Sequence, residues 1–447
     1  MTAPNVTVID DVTENVTCLG CGCACDDIAV VVRDGRIAEA RNACPLGVRW
    51  FGDGQLPSRC VSDGSDVPLA AAIDRCELML SQARRPLVYL APGLSSESQR
   101  QGVAIADTLH ARLDTVTSST ASAFVLANQE RGFASATFGE IRNRADVVVF
   151  WGIDLAQRYP RFASRYAPNA VGLYVDGRHA RTVVAVDVDG AMSTVDADRR
   201  LTVGAADELA TLTALEAFAR AGSDASTLAT LAGAAWTVAR ALAPSLLAAR
   251  YVAIVYDAEP DGRADRSPRR FERLTTLSQA LNDHTRCAAI ALRAGGNRSG
   301  VDGILVAQTG YPFAVDFGRG YPRYAPHDGT TVDLVRDGGV DLALVAGDSA
   351  SLPGEVLRAL GNVPYVLIGP GASESPLGSA VVAIDTGADG IHADGTATRA
   401  DDVPLPLRAS ISGPPDVSSV LRSIAAATNA RQNATRRGDV ASATAAG

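Results

Sequence analysis

Asp146-Val-Val-Val-Phe-Trp-Gly152 is apolar at every internal position and stops at a glycine. A strand with one face in water alternates apolar and polar side chains. This one does not, so it reads as a strand of a parallel sheet with helices over both faces. The same signature recurs in Pro86-Leu-Val-Tyr-Leu-Ala-Pro92, Thr182-Val-Val-Ala-Val-Asp187, Tyr251-Val-Ala-Ile-Val-Tyr256 and Cys287-Ala-Ala-Ile-Ala-Leu292. It returns in Asp341-Leu-Ala-Leu-Val-Ala346, Tyr365-Val-Leu-Ile368 and Ala380-Val-Val-Ala-Ile384. Helical spacing separates these runs. It predicts helices over 67–83 (Leu69, Ile73, Cys76 and Leu80 on one face), 95–113 (capped by Ser95 or Ser96), 206–221, 227–242 and 270–282. Strands alternating with helices predict an α/β fold, and the strands are too many for one small sheet. Two doubly wound α/β domains are therefore expected.

At 447 residues the chain has room for about three domains. Residues 1–60 read as a small cysteine-rich β module, with Ile28–Arg33 and Arg36–Arg41 joined at the Asp34-Gly35 turn. Residues 120–300 read as one Rossmann-like domain. Residues 61–119 and 301–427 read as a second, discontinuous α/β domain. A last helix is expected over 415–427. Residues 428–447, small and polar, read as a mobile tail. No β-barrel pattern follows at the C-terminus.

Net charge is 41 − 50 = −9. An acidic chain is repelled by nucleic acid and by anionic membrane surfaces, so neither is an expected partner. No apolar run approaches the roughly 18 residues of a spanning helix. The start, Met1-Thr-Ala-Pro-Asn, lacks a basic segment and an apolar segment, so a cytoplasmic location is expected.

Five of the eight cysteines fall between Cys18 and Cys44. A secreted disulfide scaffold spreads its cysteines through a shorter chain. The spacing Cys18-x2-Cys21-x3-Cys25-x18-Cys44 instead suits four thiolates around one centre, the last returned by the hairpin. Gly20 and Gly22 let the loop fold closely. The same residues also suit unligated small core side chains. The spacing leaves a [4Fe-4S] cluster, zinc or no metal open, and Cys23 is a competing or idle fifth thiol.

Cys18-Leu-Gly-Cys-Gly-Cys-Ala-Cys-Asp-Asp-Ile28, and Cys44 followed by Pro45-Leu-Gly47, resemble the N-terminal module of the molybdopterin oxidoreductases. Gly139-Glu-Ile-Arg-Asn-Arg-Ala-Asp-Val-Val-Val-Phe-Trp-Gly152, Tyr159-Pro-Arg161 and Ser164-Arg-Tyr166 narrow the resemblance to the B subunit of formylmethanofuran dehydrogenase. So does Thr309-Gly-Tyr-Pro-Phe-Ala-Val-Asp-Phe-Gly-Arg-Gly-Tyr-Pro-Arg-Tyr324. The resemblance implies a molybdopterin-oxidoreductase-like fold, an iron–sulfur cluster, and a molybdenum or tungsten pterin that reduces carbon dioxide to formate. It also implies a metal-ligating Cys followed by His, and an Arg that holds the substrate.

The departures bear on function. Where the family has Cys-His, this chain has Thr120-Ala121, and no cysteine lies between Cys76 and Cys287. A Thr hydroxyl is a poor ligand for a soft, sulfur-rich centre, and Ala carries no proton. The Arg is kept as Arg293, but Gly295 or Gly296 replaces the nearby His. The resemblance then points to the B-type subunit of the bacterial formyltransferase/hydrolase complex, which runs without redox chemistry. It implies a non-redox scaffold without a molybdenum or tungsten pterin. The implied partners are an amidohydrolase-like A subunit, a C subunit and a formyltransferase subunit. The alternatives are an active formate-type oxidoreductase and a cluster-only electron-transfer subunit.

His110, His179, His284, His327 and His392 form no metal-binding or catalytic spacing. Gly347-Asp-Ser and Gly369-Pro-Gly371 stand at strand ends, where doubly wound sheets bind ligands. Arg158, Arg161 and Arg165 suit either an anionic partner or structural ion pairs. Arg319-Gly-Tyr-Pro-Arg-Tyr324 suits an interface loop.

Overall fold

The computed structural model describes residues 11–189, 192–222, 226–260, 267–378 and 380–445, with side chains as far as Arg431. The chain opens with a three-stranded antiparallel sheet: β1 (Asp11–Val16), β2 (Ile28–Arg33) and β3 (Arg36–Arg41). The loop between β1 and β2 carries Cys18, Cys21, Cys23 and Cys25. Next come β4 (Cys60–Ser62), β5 (Ser65–Asp66), β6 (Pro86–Leu90) and β7 (Arg112–Thr115).

A separate five-stranded sheet follows: β8 (Val147–Trp151), β9 (Thr182–Val188), β10 (Arg199–Val203), β11 (Tyr251–Asp257) and β12 (Arg286–Leu292). All its pairings are parallel, in the order β10-β9-β8-β11-β12. The order reverses between β8 and β11, which is the doubly wound pattern. β13 (Val315–Asp316), β14 (Arg323–Tyr324), β15 (Leu342–Ala346), β16 (Tyr365–Gly369) and β17 (Val382–Asp385) then complete the sheet begun by β4–β7. Its nine strands run β14-β13-β7-β6-β15-β16-β17-β4-β5. The inner five are parallel, and the order reverses between β6 and β15. A hairpin of β18 (Gly395–Thr398) and β19 (Pro404–Leu407) precedes the last helix. Among the described residues no sheet closes into a barrel, and no helix is long and apolar enough to cross a membrane.

The all-apolar strands are buried on both faces, as their composition demands. Along β8, Val147, Val149 and Trp151 pack into one core while Val148 and Phe150 pack into another. Two further cores cover the faces of the nine-stranded sheet.

Several element boundaries differ from the sequence expectation. The helix expected over 95–113 spans Ser96–Thr108 and is followed by β7. Ser95 caps it by accepting from Ser98 N at 3.2 Å. His110, at φ +53°, breaks the helix, and pairing with β6 draws Arg112–Thr115 into the sheet. The two helices expected over 206–221 and 227–242 lie at Ala205–Ala221 and Ala234–Leu247. Gly233 sits at φ +116°, so the second helix starts only after it. The last helix runs Val417–Ala445 rather than stopping near 427, so the stretch read as a tail is helical to Ala445. Helix-forming Ala and Arg residues there carry the backbone on without an apolar stripe.

Phe150 is completely buried between Phe162 and the rest of its core. The Phe150→Ala variant is expected to lose about 3–5 kcal/mol of stability by transfer and cavity terms. Chemical denaturation followed by circular dichroism checks this.

Candidate functional site

The C-terminal ends of both parallel sheets meet at one place. β7 runs into the helical turn Thr117–Thr120. β11 runs into Glu259, and β12 into Arg293. The helix Arg298–Thr309 supplies Arg298 and Asp302. The sequence singled out Thr120, Ala121 and Arg293, and the fold brings their segments together.

Arg293 is buried, and each arm of its guanidinium is occupied. Nε donates to Glu259 Oε1, Nη1 to Asp302 Oδ2 at 2.6 Å, and Nη2 to Thr117 Oγ1 at 3.1 Å. Arg298 closes on the other Glu259 oxygen and reaches Thr120 Oγ1 at 3.4 Å. Thr117 Oγ1 donates to Asp302 Oδ1 at 2.5 Å. The Thr120 hydroxyl donates to Val116 O at 3.0 Å, a bond within its own turn. Burial pushes the Glu259 carboxyl up, but Arg293 and Arg298 outweigh it and hold the group at about 2. Burial pushes Asp302 upward against the pull of Arg293. Glu259, Asp302, Arg298 and Thr117 escaped the sequence reading. They come from separate segments, and nothing in their local spacing marks them as partners.

The cysteine loop lies directly against this cluster. Cys18 N donates to Cys25 O at 2.9 Å and closes the loop. Gly22 N donates to Arg293 O at 3.0 Å, and Gly296 N to Leu19 O at 2.9 Å. Cys21 and Ala294 form an isolated antiparallel bridge. A Cβ on Gly22 would lie 2.1 Å from Arg293 O, and one on Gly295 would lie 2.2 Å from Leu19 O. Only glycine permits backbones to pass this closely.

The four thiols read as ligands are neighbours in the fold. Cys18 is buried, which pushes its thiol far up, and it interacts electrostatically with Cys21, Cys25 and Cys44. Cys21 is held down first by the Cys23 thiol and also by Arg161. Cys25 bonds the Arg165 guanidinium, although burial raises its thiol overall. Cys44 precedes the helix Pro45–Phe51. Among the described residues no three His, Cys, Asp or Glu side chains are placed to hold a metal. Positions 120 and 121 carry a hydroxyl and a methyl group.

The arginine run resolves into ion pairs. Arg161 pairs with Asp27 through two bonds of 2.6 Å, and Arg165 pairs with Asp26 at 2.6 Å and Asp27 at 3.0 Å. Arg158 pairs with Asp257 and donates to Glu259 O at 2.8 Å. His392 is tied to Gly54 O at 2.9 Å and to Ala388 N at 3.1 Å. In the strand-end loops, Asp348 caps its own short turn by accepting from Ala350 N at 2.9 Å. A cleft of about 770 Å³ opens there, lined by Trp50, Gly93, Gly296, Asp348, Pro370 and His392. It stands where the order of the nine-stranded sheet reverses, a usual ligand position in such sheets. A shallower groove of about 390 Å³ adjoins Arg293, between Phe124, Phe133 and Val306.

Because Glu259 sits near 2 in the folded chain and at 4.5 when exposed, it contributes stability above pH 4.5 that is lost as pH falls toward 2. The Glu259→Gln variant is expected to flatten that part of the stability–pH curve. It also leaves the buried Arg293 and the partly buried Arg298 short of a charge, at a cost of about 3–5 kcal/mol at neutral pH. Denaturation midpoints measured from pH 2.5 to 7 check both effects.

No protein-family model matches the chain. It is 31% identical over 425 residues to the B subunit of the tungsten-containing formylmethanofuran dehydrogenase 2 of Methanocaldococcus jannaschii, covering 91% of this chain and 95% of that one. Its counterpart from Methanococcus maripaludis is 30% identical over 422 residues, covering 90% and 95%. Among solved structures, a chain of the formyltransferase/hydrolase complex from Methylorubrum extorquens, crystallised with methylofuran, superposes with a TM-score of 0.68. It is 25% identical, and the match covers 83% of this chain and 99% of that one. With this identity carried along nearly the whole length, the chain belongs to the family of formylmethanofuran dehydrogenase B subunits.

Proposed function

We propose that the chain is a non-redox subunit of a formyltransferase/hydrolase-type complex in one-carbon metabolism. Its partners are an amidohydrolase-like A subunit, a C subunit and a formyltransferase subunit, in the cytoplasm. Its work is to shape and hold the assembly, while formyl transfer to a furan carrier and release of formate take place on the partners. One observation carries the reading. The arginine expected to hold substrate, Arg293, spends all three arms on Glu259, Asp302 and Thr117. Thr120 and Ala121 beside it offer neither a soft ligand nor a proton carrier. A guanidinium so engaged has its Nε–H and one N–H of each terminal nitrogen committed within the protein, which favours a structural role over substrate binding.

The second reading is an active formate-forming oxidoreductase. It is favoured by the tungsten-containing curated relatives and by the cleft of about 770 Å³ between the cysteine module and the nine-stranded sheet. A cluster-only electron carrier is the third reading, resting on the four-cysteine spacing.

Anaerobic purification of the complex separates the three. The expected result is no stoichiometric tungsten or molybdenum by mass spectrometry and no formate oxidation with a viologen dye. Stoichiometric tungsten or molybdenum together with viologen reduction overturns the proposal. A brown protein with stoichiometric iron, but neither of those metals, moves the assignment to the electron carrier.

A further inference from the structure

Three of the most exposed large apolar side chains belong to one four-residue stretch: Val171 (59% exposed), Leu173 (73%) and Tyr174 (59%). Single exposed apolar residues are ordinary, but three on one loop are a patch with a purpose. The loop is also held outward by its surroundings. Arg181, itself buried, donates from Nη1 to Pro168 O at 2.8 Å and to Ala170 O at 2.6 Å. Its Nη2 donates to Arg142 O at 2.6 Å, and its Nε to Ala145 O at 3.1 Å. A buried cation is thus committed to backbone carbonyls, which fixes the base of the loop onto the helix Phe138–Arg144. Arg142 Nε donates to Val171 O at 2.9 Å, Asn143 Oδ1 accepts from Leu173 N at 3.1 Å, and Asn143 O accepts from Tyr174 N at 3.0 Å. Gly172 packs so tightly that a Cβ would lie 1.9 Å from Arg142 O. A loop left free to collapse would fold these side chains onto the protein. This one is built to keep them in solvent.

The rim carries charge. The Arg144 guanidinium stands 4.9 Å over the Tyr174 ring, and Arg142 lies beside it; both arginines are exposed. Asp176 and His179, 3.5 Å apart and both exposed, follow Tyr174 in the chain.

We propose that Val171, Leu173 and Tyr174 form a preformed anchor. It docks into an apolar socket edged by carboxylates on another subunit of the complex. The proposal rests on the reading of the chain as a subunit of such a complex. The apolar side chains provide the buried contact, and Arg142 and Arg144 match the acidic edge. Because the loop is ordered before docking, little conformational entropy is lost on binding.

The chain is co-expressed with the partner chains of its complex, and association is followed by native mass spectrometry and by titration of the purified partners. The double variant Leu173→Ser/Tyr174→Ser is expected to weaken association about tenfold or more. Its circular dichroism and Tm should match the wild type, since both side chains are exposed. The Leu231→Ser variant, altering an exposed apolar side chain elsewhere, should associate normally. Arg144→Glu should weaken association most at low salt, where the acidic edge is least screened. If the wild type assembles and the double variant binds within about twofold of it, the anchor is wrong and the subunit reading stands. An equal loss in the Leu231→Ser variant also overturns the anchor. If the wild type binds none of the partners, the subunit reading fails and takes the anchor with it.

Discussion

The buried charge cluster around Glu259 holds the molecule together where its two sheets meet. Thr117 follows a strand of the nine-stranded sheet, Glu259 and Arg293 follow strands of the five-stranded sheet, and Arg298 and Asp302 lie on the helix that leads back to the larger sheet. Each ion in such a cluster has given up water and needs its partners to recover that cost. The four segments are therefore coupled: displacing any one strands a charge on the others. The same coupling holds Arg293 in its ion pairs.

Glycine supplies the second constraint. The cysteine loop passes so close to the Arg293–Gly296 segment that Gly22 and Gly295 admit no side chain. The two loops share backbone hydrogen bonds. The cysteine module is fastened to the rest of the chain by this contact and by the Arg161–Asp27 and Arg165–Asp26 pairs.

Much of the architecture was legible in the chain. Val147–Trp151 and Tyr251–Asp257 are apolar at nearly every position, and burial on both faces is the only arrangement that suits them. Short edge elements were harder. Arg199–Val203 is mostly polar and exposed, and it becomes a strand by pairing with Thr182–Val188. Arg112 and Leu113 close the expected 95–113 helix, yet the neighbouring strand claims them. In both cases a tertiary hydrogen-bond ladder outweighed local preference.

The candidate site divides in the same way. The amino-acid order alone determined which groups exist: a cluster of thiols at Cys18–Cys25 and Cys44, an arginine at 293, and a Thr-Ala pair at 120–121. It also determined that the sheets would be parallel and enclosed, because periodicity is a local property. The folded chain alone decided what those groups do to one another. Thr117 meets Arg293 across 176 positions, and Cys25 bonds the Arg165 guanidinium. Partners so far apart leave no periodic trace, since the Coulomb and hydrogen-bond energies that join them depend on distance in space and not on separation along the chain.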